Sequence, residues 1–393
     1  MKKIAYLEGL RGVAALVVVI SHFIRIFYPA LLESNPEIIH NEFELWISGT
    51  PINLLYNGNF AVCIFFILSG YVLSIKYHVK KDFEIIYEMG IKRYIRLAIP
   101  VATSIFLAFL LMKLDIFFYD EIIDTTKATM ENPYILHHDS IRIIKLAFFD
   151  IFILGDASYN PVVWTMRYEL IGSYLVFILI PIIVLLKNDY IKYIFYTISL
   201  VFIVTFLGLF FIPFILGVIL CNMHYNNRGV FKYKGKKYKF FMLIIGLFLG
   251  SYPYTDTSYT IYNFLEFDFL GQRTSGIYHI GGAFFLMISM LSSSLLQNLF
   301  SKKLFYFLGK ISFSMYLIHF IILCSFSSFI FKELIQYNLN YNLMILLTII
   351  PTVILILISS YFMNKYVDSL SIKVAKIIYN KFFKIIFQKV KRG

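Results

Sequence analysis

Tyr6-Leu-Glu-Gly-Leu-Arg-Gly-Val-Ala-Ala-Leu-Val-Val-Val-Ile-Ser-His22 is an apolar run with a cation near its start and an imidazole at its end. Arg11 and His22 are eleven residues apart, close to three helical turns, so a helix puts both on one face. Their axial separation is about 16 Å, roughly half of a ~30 Å hydrocarbon core, so a cation at the surface sets the imidazole near the bilayer midplane. An ionisable group at that depth is costly unless it lines a wet cavity or has a partner. The pattern points to chemistry inside a membrane.

Composition extends this reading to the whole chain. Hydrophobic residues make up 59% of the 393 and charged residues 15%, with a mean hydropathy of +0.75. A soluble domain of this size has nowhere to bury so much apolar surface. Long apolar runs without alternation exclude an outer-membrane barrel, so the fold class is all-α and membrane-integral. Lys2 and Lys3 before the first run look like a signal peptide, but Glu8, Arg11 and the lack of an Ala-x-Ala exit favour an uncleaved first span. Cys63, Cys221 and Cys324 all fall in apolar runs at no metal or disulfide spacing and read as packing residues.

Apolar runs separated by polar breaks predict about ten transmembrane helices: 12–31, 59–77, 97–114, 163–186, 190–207, 209–222, 240–253, 277–296, 305–330 and 341–363. The stretch 141–154 is short and charged and reads as interfacial or re-entrant. With an N-in, C-in arrangement, most of the 36 Lys and Arg fall on the cytoplasmic side and most of the 23 Asp and Glu opposite, as the positive-inside rule requires. The net charge of +13 therefore needs no nucleic acid. The loop 228–239 and the tail 365–393 read as contacts with anionic lipid headgroups. In the tail, Ile372, Ala375, Ile378, Phe382 and Ile386 space out as an amphipathic helix on the inner leaflet. The expected organisation is a membrane domain over 1–364 and this basic tail over 365–393.

Five stretches, in order, carry a resemblance to a known family. They are Arg11 with His22; Phe65-Phe66-Ile67-Leu68-Ser69-Gly70-Tyr71; Arg93-Tyr94-Ile95-Arg96 followed by Pro100; Trp164-Thr165-Met166-Arg167-Tyr168-Glu169; and Gly309 to His319, with Ser312, Tyr316 and Leu317. Together they resemble the acyltransferase-3 family of integral membrane O-acyltransferases, over most of the chain. Arg167 departs from the pattern, standing where a neutral or small residue is more usual. Gly155-Asp156-Ala157-Ser158 is not the Gly-Asp-Ser nucleophile of the esterase-like domain attached in longer members. The resemblance implies a membrane module without that domain, acting alone or with separate envelope-glycan assembly proteins.

Acyl transfer from a thioester to a hydroxyl needs a base, donors for the developing oxyanion and a grip on the donor molecule. His22 is the candidate base, or a transient acyl-His nucleophile; the plain alternative is a buried histidine bonded between helices. Glu169, expected near the outer end of the fourth span, is placed to hold the imidazole tautomer, or else forms a structural ion pair with Arg167 or Arg25. Arg93 and Arg96, at the expected cytoplasmic mouth of the third span, match the element that the family assigns to the acyl-CoA donor, with Arg11 cooperating. An inward-facing helix start also collects basic residues for topology alone. Ser69, Trp164, Tyr316 and His319 are candidates for lining the substrate cavity, against ordinary roles in helix packing, interfacial anchoring and helix bridging. His40, His78, His137, His138, His224 and His279 receive no role, and His137-His138-Asp139 lacks further ligands for a metal, so none is expected.

The reading is an enzyme moving an acyl group, acetyl in preference, from cytoplasmic acyl-CoA to a hydroxyl of an envelope or exported glycan or glycolipid at a bacterial inner membrane. The expected external loops 32–58 and 254–276 are acidic, the first includes Trp46 and the second several tyrosines, a composition suited to sugar rings. A transporter or lipid-linked sugar translocase using the intramembrane His, Glu and Arg is the alternative. It is disfavoured by the absence of an inverted repeat or paired broken spans. A structural subunit of a glycan-assembly complex is a third reading, and it predicts that His22→Ala is silent.

Overall fold

The computed structural model describes residues 4–134, 142–226, 231, 235–255, 257, 260–267 and 271–383. Among these there are helices, turns and no strand. Eight helices are long and apolar enough to cross a membrane. The main elements are α1 (Ala5–Phe27), α2 (Gly58–Lys80), α3 (Phe83–Lys113), α4 (142–153), α5 (Thr165–Leu185), α6 (Asp189–Phe206), α7 (Ile212–Tyr225), α8 (Lys236–Gly250), α9 (Thr274–Ser292), α10 (Lys303–Ile322) and α11 (Tyr341–Met363).

The expected spans 209–222 and 240–253 become α7 and α8, of 14 and 15 residues, short of the ~20 that cross a bilayer unaided. Each leans on a longer neighbour through glycines. A Cβ on Gly217 would stand 2.4 Å from the Ile67 carbonyl oxygen of α2, and one on Gly282 of α9 only 2.6 Å from the Gly250 nitrogen of α8. Such close backbone approach is the usual way helices associate where lipid provides no hydrophobic drive.

The tightest crossing joins α1 to α10. A Cβ on Gly309 would lie 2.0 Å from the Glu8 carbonyl oxygen, and one on Gly12 would lie 2.3 Å from the Gly309 nitrogen. Above this contact the two helices bring His22 and His319 together.

α3 begins fourteen residues before the expected 97. The Asp82 carboxylate caps it by accepting from the Glu84 amide at 2.9 Å. Glu88 and Lys92 then pair at i,i+4, and Arg93 finds a partner on α5. Charges that read as a loop are satisfied inside a long helix.

Most of the stretch 141–154, expected as interfacial or re-entrant, is the short helix α4. Ile143, Leu146, Ala147, Ile151 and Phe152 are buried, while Ile144, Phe149, Ile153 and Leu154 are exposed and equally apolar. The Tyr94 hydroxyl donates to the Phe148 carbonyl at 2.5 Å, which holds α4 beside α3 within the depth that α3 spans. The exposed face also carries Arg142 and Lys145, which pair with Asp156 and Asp150. Asn160 next ties the returning chain to the Leu317 carbonyl at 2.9 Å.

α10 runs on through a wide turn to Ile335, and α11 runs on through another to Phe383. The described part of the tail is thus helical and continuous with α11. Ser371 and Ala375 are buried, and Lys92 of α3 sits 4.6 Å over the Tyr379 ring. Ile386, most of the loop 228–239, and His137-His138-Asp139 lie outside the described residues.

Candidate active site

Polar side chains gather in two layers of the bundle, linked by α1. The first is set by α1 and α10. His22 Nδ1 lies 3.0 Å from the Val18 carbonyl oxygen and 3.1 Å from His319 Nε2. His319 Nδ1 lies 3.0 Å from the Met315 carbonyl oxygen. The two rings are 5.0 Å apart between centroids, and Phe320 closes against His22 at 5.2 Å.

These contacts assign the tautomers. A carbonyl oxygen only accepts, so the proton belongs on the nitrogen facing it, Nδ1 in both rings. His319 Nε2 then carries a lone pair and shares the His22 Nδ1 proton. What remains is His22 Nε2, with its lone pair unengaged among the described residues. That is the arrangement of a general base whose far nitrogen is held by a second group.

Arg11 lies about 16 Å from His22 along α1, and the second group is built on α1, α2, α3 and α5. Arg11 Nη1 donates to Glu8 Oε1 at 2.6 Å. Arg93 Nη2 of α3 is bound to Glu169 Oε1 of α5, and Arg93 also donates to Ser173 Oγ at 2.9 Å and Ser69 Oγ at 3.1 Å. Ser69 Oγ in turn donates to Glu169 Oε1 at 2.7 Å. Both ion-pair partners are mostly buried, their side chains 16% and 18% exposed. Arg96, one turn along α3, is exposed and has no hydrogen-bond or ion-pair partner among the described residues. It lies within electrostatic reach of Arg93, Arg11, Glu8 and Asp368. Three arginines from two helices thus lie within electrostatic reach of one another through Arg96.

The fold therefore brings the sequence candidates together as two groups. His22 and His319 form one; Arg11, Arg93, Arg96, Ser69 and Glu169 form the other. Glu169 makes no contact with His22, and it pairs with neither Arg167 nor Arg25. Arg93 and Ser69 occupy the carboxylate instead. Tyr316 joins the groups mechanically. Its hydroxyl donates to the Val162 carbonyl at 2.6 Å and lies 2.8 Å from Thr165 Oγ1, holding the start of α5 against α10. The Trp164 ring packs between Tyr168 and Phe210 at 5.5 and 5.1 Å. Arg167 lays its stem near Gly155, and its Nε is buried with no partner.

Ser173 escaped sequence reading, although it follows Glu169 by four residues and shares its helix face, and Thr165 was quoted within a motif without a role. His279, given no role, is a fully buried junction: its Nε2 lies 2.8 Å from the Tyr252 carbonyl and its Nδ1 2.9 Å from Asn59 Nδ2.

The ion pair carries a testable load. Glu169→Ala leaves the Arg93 guanidinium mostly buried and unmatched, at a cost of about 3 kcal/mol. The thermal midpoint of the detergent-solubilised protein is expected to fall by several degrees, and Arg93→Leu with Glu169→Leu together to recover most of it. An unchanged midpoint in the single variant overturns the assignment.

No curated protein and no solved structure matches the chain. A family model described as an acyltransferase domain, Acyl_transf_3, matches residues 4–361, nearly the whole of the described bundle and both polar layers. The chain belongs to this family and is a multi-pass membrane acyltransferase.

Proposed function

We propose that the protein takes an acyl group, acetyl, from cytoplasmic acyl-CoA and transfers it across the inner membrane of a bacterium to a hydroxyl of an envelope or exported glycan. The observation that supports this is the spacing on α1, with Arg11 toward one end and an oriented imidazole toward the other, together with Arg96 of α3 within electrostatic reach of Arg11. CoA is a phosphate-rich head on a long thioester arm. Arg96, open and unpaired beside Arg11 and Arg93, suits the phosphates. The arm then reaches up the bundle toward His22. The positive-inside bias puts the arginine end in the cytoplasm, where acyl-CoA is made.

The step balances as general-base catalysis. His22 Nε2 takes the proton of the acceptor hydroxyl as its oxygen attacks the thioester carbonyl. The C–S bond breaks, the new ester C–O bond remains, and the imidazolium returns the proton to the CoA thiolate. His319 orients the imidazole and stabilises the Nδ1 proton while the ring is charged. Membrane lipid surrounds the enzyme, and separate assembly proteins supply the glycan.

The test is incorporation of label from acetyl-CoA into extracted envelope glycan by membranes holding the protein at a known level. Label in ester linkage supports the reading; unlabelled glycan, with sugar uptake into vesicles instead, overturns it in favour of a transporter. Within the same assay, Arg96→Gln is expected to raise KM for acetyl-CoA about tenfold with kcat little changed, the signature of a lost ground-state contact. A normal KM refutes the phosphate grip.

A further inference from the structure

The family match ends at residue 361, and the helical tail 364–383 lies beyond it. Its apolar spacing suits a helix lying on lipid, yet the face that packs is a different one. Ser371, Ala375 and Tyr379, at i,i+4 spacing, are buried, while Ile372, Ile377 and Phe382 are exposed. The tail packs along α3. Lys92 lies over the Tyr379 ring, and Asp82, Glu84 and Glu88 are within electrostatic reach of the same residue. Asp368, three turns earlier in the tail, is instead within reach of Arg96. The tail therefore runs antiparallel to α3, from Arg96 back toward its first turns.

Asn364 fixes where the Asp368 carboxylate stands. Its side-chain amide donates to the Lys310 carbonyl of α10 at 2.9 Å and to Asp368 Oδ2 at 3.2 Å. Lys310 follows Gly309, the residue that touches the Glu8 backbone at the α1–α10 crossing, and Glu8 is the partner of Arg11. The tail carboxylate is thus moored at that crossing. It approaches Arg96 from α10, while Glu8 and Arg11 approach from α1. Arg96 has no ion-pair partner among the described residues, so Asp368 stands close to it without closing on it.

That placement has a physical use. Three arginines gathered with no ligand repel one another, and a nearby carboxylate lowers that repulsion. A carboxylate closed onto Arg96 would instead fill the fork that a phosphate needs. Held just short by Asn364, Asp368 does the first without the second.

We propose that the tail is part of the donor site: Asp368, positioned by Asn364, is the built-in counter-charge of Arg96, against which the phosphates of acyl-CoA compete. The proposal rests on the acyl-CoA reading above and extends its site beyond the family domain. Asn364 acts through Asp368 and is a positioning residue.

The test places the full chain in phosphatidylcholine vesicles and measures equilibrium binding of labelled CoA. Asp368→Asn is expected to tighten CoA about fivefold, and Asn364→Ala, which releases the carboxylate onto Arg96, to weaken it by a similar factor. The two changes together should bind CoA as Asp368→Asn does, because the freed side chain no longer carries charge. Both effects should shrink in high salt. Thermal midpoints without CoA read the pairing independently: Asp368→Asn should lower the midpoint in the unmodified background and not in Arg96→Gln. CoA binding that is unchanged or weaker in Asp368→Asn overturns the proposal, and so do midpoint changes that simply add. An unmodified protein that binds no CoA, with the midpoints still coupled, keeps the pairing of Asp368 with Arg96 and overturns the acyl-CoA reading instead.

Discussion

His22→Ala is expected to lower acyl transfer about a thousandfold while the protein inserts and folds normally, a loss within the usual range for removing a general base. The expectation follows from one lone pair. Two backbone carbonyls hold the Nδ1 protons, which leaves His22 Nε2 as the basic atom. The side chain is small beside the α1–α10 contact, and its loss leaves that crossing intact. His319→Ala keeps the basic atom and loses its orientation, so kcat should fall about tenfold with KM for acetyl-CoA unchanged. The measurement is labelled acetyl transfer in membranes with matched protein levels. Full activity of His22→Ala removes the imidazole from the mechanism; equal losses in both variants would instead point to a jointly structural dyad.

Gly309→Ala, far from either imidazole, is expected to cost about a hundredfold in transfer rate. A Cβ at Gly309 would meet the Glu8 carbonyl oxygen at 2.0 Å, backbone against backbone, with no flexible side chain to move aside. The helices must part by about 1 Å or more, and a misplacement of that size can cost a hundredfold in rate. The displaced pair is the same pair that carries His22 and His319, whose contact of 3.1 Å has no slack. Gly276→Ala at the start of α9, where a Cβ meets nothing within 4 Å, serves as the control and should be silent. The readout is transfer rate in protein that still runs as a single folded species by size exclusion. Normal rate in folded Gly309→Ala would show that the crossing does not set the dyad.

Much of the fold was legible because membrane solvent leaves so few options. Apolar runs of eighteen residues or more must be helices, and eight of the expected spans are there as helices of that length. The two short ones misled because length alone does not show a helix resting on a glycine seam with a longer partner. The early start of α3 was hidden by Glu84, Glu88, Lys92 and Arg93, charges whose partners are mostly on other turns or another helix. His22 was legible for the same physical reason: an ionisable group inside an apolar run demands an explanation.

Sequence by itself determined the class, the all-α membrane bundle, the family motifs and the pairing of one cation with one imidazole on a single helix face. Those are properties of spacing along one chain segment, which helical periodicity converts directly into geometry. The tertiary structure decided who touches whom. It gave His22 a histidine rather than Glu169, locked Glu169 onto Arg93, left Arg96 and Arg25 open, and buried the Tyr134 hydroxyl with nothing to bind. The reason is register between helices: a few close glycine contacts set how far each helix slides past its neighbour, and no single-helix pattern records that.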